Sequence, residues 1–324
     1  MAVYIYHSKK GPDFAWDQGK IAGLLGDVRY RQGRFLGRVD GLGAQLQEEA
    51  RGEVHSSDVR MFAGADGERV AGMIANAARE YAVPLTRERL FRWHAELFPV
   101  DEKAGEKAAE KTATRAKVHF QASAGEGSEG KLNKLIHWVN SATDNDPVIK
   151  AAVAQLWLVM IRPFDIGNER LGEVVMEGLL ARANQGGERV YSVAGQMRAE
   201  SREYAAVLPG NVETSSDATV WIEWFLGCMG RAIDNAGEEL RIILNKDRFW
   251  KRCAGMALND RQRMMLEKLL DGQESKLTSS KLAMLTGTSQ DTAGRDINDL
   301  IRRGILARQA GGGRSTSYMI SPDV

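Results

Sequence analysis

The sequence predicts a mainly α-helical chain that ends in a small unit of helices and a β-hairpin. Three observations carry this. Apolar residues recur at three- and four-residue steps through most of the 324 residues. Strand-like alternation is confined to the short pieces "KVHFQAS" and "ILARQAGGGRSTSYMI". Composition is ordinary for a globular protein, with 43% hydrophobic and 27% charged residues. The length fits two or three domains, and the pattern places them at 1–82, 83–245 and 246–324.

The first region reads as helices after a short extended start. In "WDQGKIAGLLGDVRYRQGRFLGRV", Ile21, Leu24, Leu25, Val28, Phe35, Leu36 and Val39 follow helical steps. In "VHSSDVRMFAG", Ser56 or Ser57 is read as a helix cap. "LTRERLFRWHAELFP" is a helix that starts near Thr86, buries Leu90, Trp93, Leu97 and Phe98 and stops at Pro99. The charged piece "VDEKAGEKAAEKTATRA" reads as a loop or a frayed helix. "KVHFQAS" reads as a short strand. Next comes a helix with Leu132, Leu135, Ile136 and Val139 on one face. "DPVIKAAVAQLWLVMI" has Asp146 as N-cap and Pro147 at the first helical position. It is apolar nearly all round, which makes it the central buried helix. "LGEVVMEGLLARAN", "AGQMRAESREYAAVL" and the long stretch from "ATVWIEWF" to "RFWKR" complete the body. The aromatics Trp221, Trp224 and Phe225, with Met229, read as core.

The tail is a separate unit. Asn259 caps one helix, Gly287 ends a second, and Ser289 caps a third that stops at Gly304. Two short strands around a Gly-rich turn follow. Three helices and a hairpin are the layout of a winged helix-turn-helix, with the third helix as reader and the hairpin as wing. Lys246 to Val324 holds 14 basic and 9 acidic residues, so a net charge of +1 for the chain hides a basic tail on a mildly acidic body. That asymmetry points toward nucleic acid. Ser289, Gln290, Thr292 and Arg295 lie near the start of the third helix, Arg302 and Arg303 at its end, and Arg314 and Ser315 in the wing. These are the candidate DNA contacts. The two arginines at the helix end serve the helix dipole equally well.

No run approaches the roughly 18 apolar residues of a membrane span, and the first residues lack the layout of a signal peptide. The expectation is a cytoplasmic protein with no membrane partner. The two cysteines, Cys228 and Cys253, have no zinc spacing and read as small buried hydrophobes.

One loop carries chemistry: "IRPFDIGNERLGEVV", between the buried helix and the next. Here the sequence resembles the Fic family, whose core signature is His-x-Phe-x-Asp/Glu-Gly-Asn-Gly-Arg-x-x-Arg. At its eight defined places stand Arg162, Phe164, Ile166, Gly167, Asn168, Glu169, Arg170 and Glu173. Phe164, Gly167, Asn168 and Arg170 match. "RWHAELFP", "KVHFQAS" (similar to the target-docking flap), the buried helix and the C-terminal helices also resemble the longer bacterial members. The resemblance implies a Fic-type helical bundle with a short β flap, an uncharacterised N-terminal helical region and a C-terminal winged helix.

It also implies AMP transfer from ATP to a target hydroxyl, and the four departures bear on that activity. The family histidine is a general base, which must be able to sit neutral near pH 7. A guanidinium at Arg162 stays protonated, and none of the five histidines lies in the loop. The family acid holds Mg²⁺ against phosphates, and Ile166 has no oxygen. Glu169 brings a side chain and a negative charge to the phosphate-binding helix start, and Glu173 reverses the charge of the last arginine. Ion pairs of Glu169 and Glu173 with Arg162 and Arg170 are expected to fill the space of the phosphates. The matching residues either keep the loop folded or, with Arg162, bind an anionic ligand. Arg60 stands at the place of an inhibitory glutamate that many relatives carry.

The sequence reading is a catalytically inactive Fic-like protein, without cofactor or metal, that regulates transcription as a DNA-binding homodimer. Its alternatives are an AMP transferase with a variant site and a module that binds a protein partner through the Fic body.

Overall fold

A computed structural model describes residues 14–62, 66–99, 128–142, 145–208, 217–271, 278–309 and 316–321. The chain divides into two compact units, Met1–Gly237 and Glu238–Val324. The first unit holds α1 (Gln18–Asp40), α2 (Ala44–Phe62), α3 (Gly67–Arg79), α4 (Arg87–Leu97), α5 (Ser128–Asn140), α6 (Pro147–Ile161), α7 (Asn168–Ala183), α8 (Val193–Ala199) and α9 (Ser201–Val207). It also holds the first half of α10 (Thr219–Arg252), within which the division falls.

The centre of the first unit is the pair α6 and α7. Asp146 caps α6 by accepting from Val148 N at 2.7 Å, and Pro147 follows at the first helical position. Nearly every later residue of α6 is buried, so the helix is enclosed on all sides. Gly172 lets α7 lie close against Gln155 and Val159 of α6, and Gly178 does the same against Ala77 of α3. Trp221 of α10 donates its indole N–H to Ala152 O at 2.9 Å, which fixes α10 on α6. Tyr204, Trp221, Trp224 and Phe225 then pack as one aromatic group. Trp221, Phe225 and Met229 are buried core, as their helical spacing predicts, and Trp224 is partly buried.

Two expectations change. Ser56 and Ser57 cap nothing: α2 runs unbroken past them. Ala50, Val54, Asp58 and Phe62 recur every four residues on its buried face, and that face holds the helix together. The stretch "AGQMRAESREYAAVL" is two short helices. Glu200 leaves helical geometry with ψ 34°, and its carboxylate pairs with Arg231 of α10. The segment around "KVHFQAS" lies outside the described residues.

The second unit contains the end of α10, α11 (Asp260–Leu270), α12 (Ser279–Thr286), α13 (Gln290–Arg302), β1 (Leu306–Arg308) and β2 (Tyr318–Ile320). Asn259 and Gln262 form a reciprocal capping box at α11. Gly287 and Gly304 take left-handed backbone after α12 and α13. The strands pair antiparallel, Leu306 opposite Ile320 and Arg308 opposite Tyr318. The core gathers Phe249 and Cys253 of α10 with Met265, Leu266, Leu282, Ala293, Ile297, Leu300, Ile305 and Leu306. Cys228 and Cys253 are both buried and unbridged.

Candidate functional site

The loop between α6 and α7 is held by its own signature residues. Arg162 ends α6 in left-handed backbone at φ 44° and donates its N–H to Leu158 O at 3.2 Å. Non-glycine residues seldom adopt that conformation. Asn168, the first residue of α7, is buried and closes the loop: its amide nitrogen donates to Phe164 O at 2.7 Å, and its oxygen accepts from Phe164 N at 3.0 Å. Gly167 has φ 81°, and a Cβ there would overlap the Phe98 ring. Three of the four matching residues, Phe164, Gly167 and Asn168, therefore have structural work that accounts for them.

A histidine reaches this loop after all, from a distant element. His94 of α4 is 1% exposed and stacks on Phe164 with ring centroids 4.0 Å apart. Its Nε2 lies 3.0 Å from Ile166 O, a geometry that needs the proton on that nitrogen. Buried and engaged with a carbonyl, it positions the loop and does not line the pocket. Its reach to the loop is not legible in chain order, because His94 and Ile166 are 72 residues apart.

Beside the loop lies an open pocket of about 490 Å³. Its walls include Phe98, Arg162, Asp165, Ile166, Glu169, Arg170 and Arg198. The expected filling by ion pairs does not occur in the expected form. Glu169 is exposed and makes no ion pair among the described residues. Glu173 is buried, and its partner is Arg198 of α8 at 2.7 Å, neither Arg162 nor Arg170. The reason is reach: Glu173 lies one turn into α7, facing α8, while Arg162 is exposed at the loop's outer end. Burial pushes the Glu173 carboxyl up to about 7, against the pull of Arg198 and Arg170. The guanidinium of Arg170 lies 5.0 Å from the Phe62 ring centre, and that of Arg198 lies 5.8 Å from it. So α2 presents Phe62 to this pair, while Arg60 turns away to Glu53.

Ile166 offers no ligand atom; Asp165 lines the pocket from the neighbouring position. Among the described residues, no three His, Cys, Asp or Glu side chains gather as a metal site.

In the second unit, α13 has an exposed face carrying Arg295, Asn298 and Arg302. The other expected contacts are partly engaged. Ser289 accepts from Thr292 N at 3.3 Å as the cap, and the two hydroxyls lie 3.0 Å apart. Gln290 bonds to Ser280. Arg303 donates to Ala257 O at 2.6 Å and pairs with Asp299 at 2.9 Å. Arg302 also reaches Asp299, at 3.2 Å. Asn298 makes no hydrogen bond among the described residues, and sequence reading passed over it. Arg314 and Ser315 lie outside the described residues.

Phe164, Gly167 and Asn168 thus pin the loop between the buried helix α6 and the start of α7 in a helical bundle. Residues 84–180 match the model of the Fic/DOC family. Residues 4–71 match that of a domain of unknown function, DUF4172. Among solved structures, a Fic family protein from Desulfovibrio desulfuricans G20 is similar over 93% of this chain and 96% of its own. The sequence identity is 15% and the TM-score 0.50, so the likeness is one of fold. No curated protein matches. Residues 84–180 are thus similar to Fic/DOC family domains, and the fold of the chain resembles that of a Fic family protein.

Proposed function

We propose that this Fic-like protein is a DNA-binding regulator whose Fic body does not transfer AMP. The observation that carries the DNA reading is the exposed face of α13. Three helices and a hairpin pack on one apolar core and leave Arg295, Asn298 and Arg302 outward. In a winged helix-turn-helix that face enters the major groove. Ser289 and Thr292 support the helix start, and Arg303 ties α13 to the segment before α11. Arg295 is then the principal base reader. Arg314 and Ser315 serve as wing contacts to backbone or minor groove, and a homodimer reads a palindromic site.

The loss of AMP transfer follows from side-chain chemistry. Arg162 cannot act as a neutral base, Ile166 cannot hold Mg²⁺, and the buried proton acceptor Glu173 is bound to Arg198. A general base alone is worth about 10²–10⁴ in rate. A second reading, a transferase with a variant site, draws on the open pocket beside the loop.

Genome-wide mapping of DNA occupied by the tagged full-length protein tests the first reading. A few sharp sites support it; occupancy indistinguishable from an untagged control refutes it. Incubating the protein and a lysate with ATP tagged on the α-phosphate tests the second. Labelling of any protein that depends on this chain would overturn the inactive reading.

A further inference from the structure

A residue that weakens its own helix calls for a reason outside that helix. Gly294 and Asn298, one turn apart on α13, are of this kind. Gly294 sits in mid-helix, where glycine is a weak helix former. Packing does not require it there: a Cβ at Gly294 would meet nothing within 4 Å among the described residues. Its backbone is not left-handed, so no turn requires it either. Asn298, also weakly helix-forming, is exposed and makes no hydrogen bond among the described residues.

Both residues lie on the side of α13 away from its core. Asp291, Arg295, Asn298 and Arg302 follow one another at steps of four, three and four, which puts them in one exposed stripe. Ala293, Ile297 and Leu300 are buried on the opposite side, and Gly294 lies on the edge of the stripe. Arg295, Asn298 and Arg302 open onto one shared depression of about 680 Å³. Arg295 is held only by a long bond from its Nε to Asp291 O at 3.4 Å, so its guanidinium is available to a ligand.

We propose that α13 reads a guanine through Arg295 and an adenine through Asn298, and that Gly294 is bare so that the helix can sit deep enough for Asn298 to reach its base. This rests on the DNA-binding reading given above, and adds to it the bases read and the residue that sets the depth. Side-chain chemistry assigns the bases. Adenine shows the major groove an acceptor at N7 and a donor at N6, which a carboxamide matches with its own donor and acceptor. Guanine shows two acceptors, N7 and O6, which match the guanidinium fork. Spacing assigns the separation. Three residues of helix rise about 4.5 Å, against about 3.4 Å per base pair, so the two bases lie within about two base pairs of each other.

Length assigns the role of the glycine. Asparagine is much shorter than arginine, so the backbone at Asn298 must approach the base edges more closely than Arg295 alone would need. Gly294 precedes Asn298 by one turn on the same side, where a methyl group would be among the first atoms to meet the groove wall. Glycine is the residue that allows such an approach of backbone to ligand. Asp291 agrees with this orientation: a carboxylate repels phosphate but accepts from cytosine N4, so the start of the stripe also suits a base edge.

Selection of bound sequences from a random duplex pool, by the full-length protein and three variants, tests this. The wild type should enrich a motif with a guanine and an adenine within two base pairs. Asn298→Ala should keep the guanine and lose its discrimination at the adenine position by about 5- to 150-fold. Arg295→Ala should do the converse. Gly294→Ala should bind the selected site at least about tenfold more weakly, with a thermal midpoint no lower than that of the wild type. If the wild type enriches no sequence, the DNA reading fails and this proposal with it. If the wild type enriches a motif that Asn298→Ala enriches unchanged, the DNA reading stands and the base assignment is overturned. Unchanged affinity in Gly294→Ala, or a lowered thermal midpoint, overturns the role given to the glycine.

Discussion

Two residues of the loop region expose how narrowly its geometry is set. Gly167 needs φ 81° and has the Phe98 ring where a side chain would go. Gly167→Ala therefore meets both backbone strain and overlap. We expect a loss of about 1–3 kcal/mol in urea denaturation, larger than for alanine at an exposed helical glycine such as Gly23. Glu173 sets a pH dependence. Burial pushes its folded carboxyl up to about 7, from an ordinary value of 4.5. The native state then keeps a proton that the unfolded chain releases between those values. Stability is fully supported below about 4.5 and falls as pH rises through that window, by at most about 1.4 kcal/mol per pH unit. Glu173→Gln should flatten this part of the stability profile, and an unchanged slope would assign it to other groups.

At the scale of elements, one buried ion network joins α2, α7 and the start of α8. Arg189 donates to Asp58 at 2.7 Å, to Glu177 at 3.2 Å and to Ser192 at 2.9 Å. Glu177 also accepts from Ala194 N at 2.8 Å. The two carboxylates hold the Arg189 guanidinium well above its ordinary range, outweighing burial. Removing the arginine leaves both acids buried without their cation. Arg189→Met should therefore cost about 3–5 kcal/mol in chemical denaturation. Arg60→Ala, at an exposed pair with Glu53, should change stability by less than about 1 kcal/mol. The contrast matters for α2, whose Phe62 packs against the guanidiniums of Arg170 and Arg198.

At the scale of the whole molecule, the second unit draws part of its core from the end of the long helix α10. Phe249 and Cys253 of α10 belong to that core. A fragment starting at Glu238 should unfold cooperatively by heat, and one starting at Gly255 should not. If the DNA reading holds, the longer fragment should bind duplex DNA with affinity that falls steeply with salt. Within the full chain, Arg295→Ala should cost about 1–3 kcal/mol on a specific site. Equal binding by wild type and Arg295→Ala would remove this residue as a base reader. No helix among the described residues is long and apolar enough to cross a membrane.

Local chemistry was enough wherever a residue finds its partner within a turn. Thr86, Asp146, Asn259 and Ser289 were legible as caps because each bonds an N–H two or three positions on. The burial of α6 was legible because no face of it is polar. The Fic signature was legible because its spacing sits on one loop and one helix turn. Tertiary structure alone decided the rest. The break at Glu200 answers to Arg231, 31 residues away. His94 reaches the loop across 72 residues, and Glu173 selects Arg198 in preference to the nearer Arg170. A buried charge takes the partner that packing delivers within a few ångströms, and sequence distance carries no information about that distance in space.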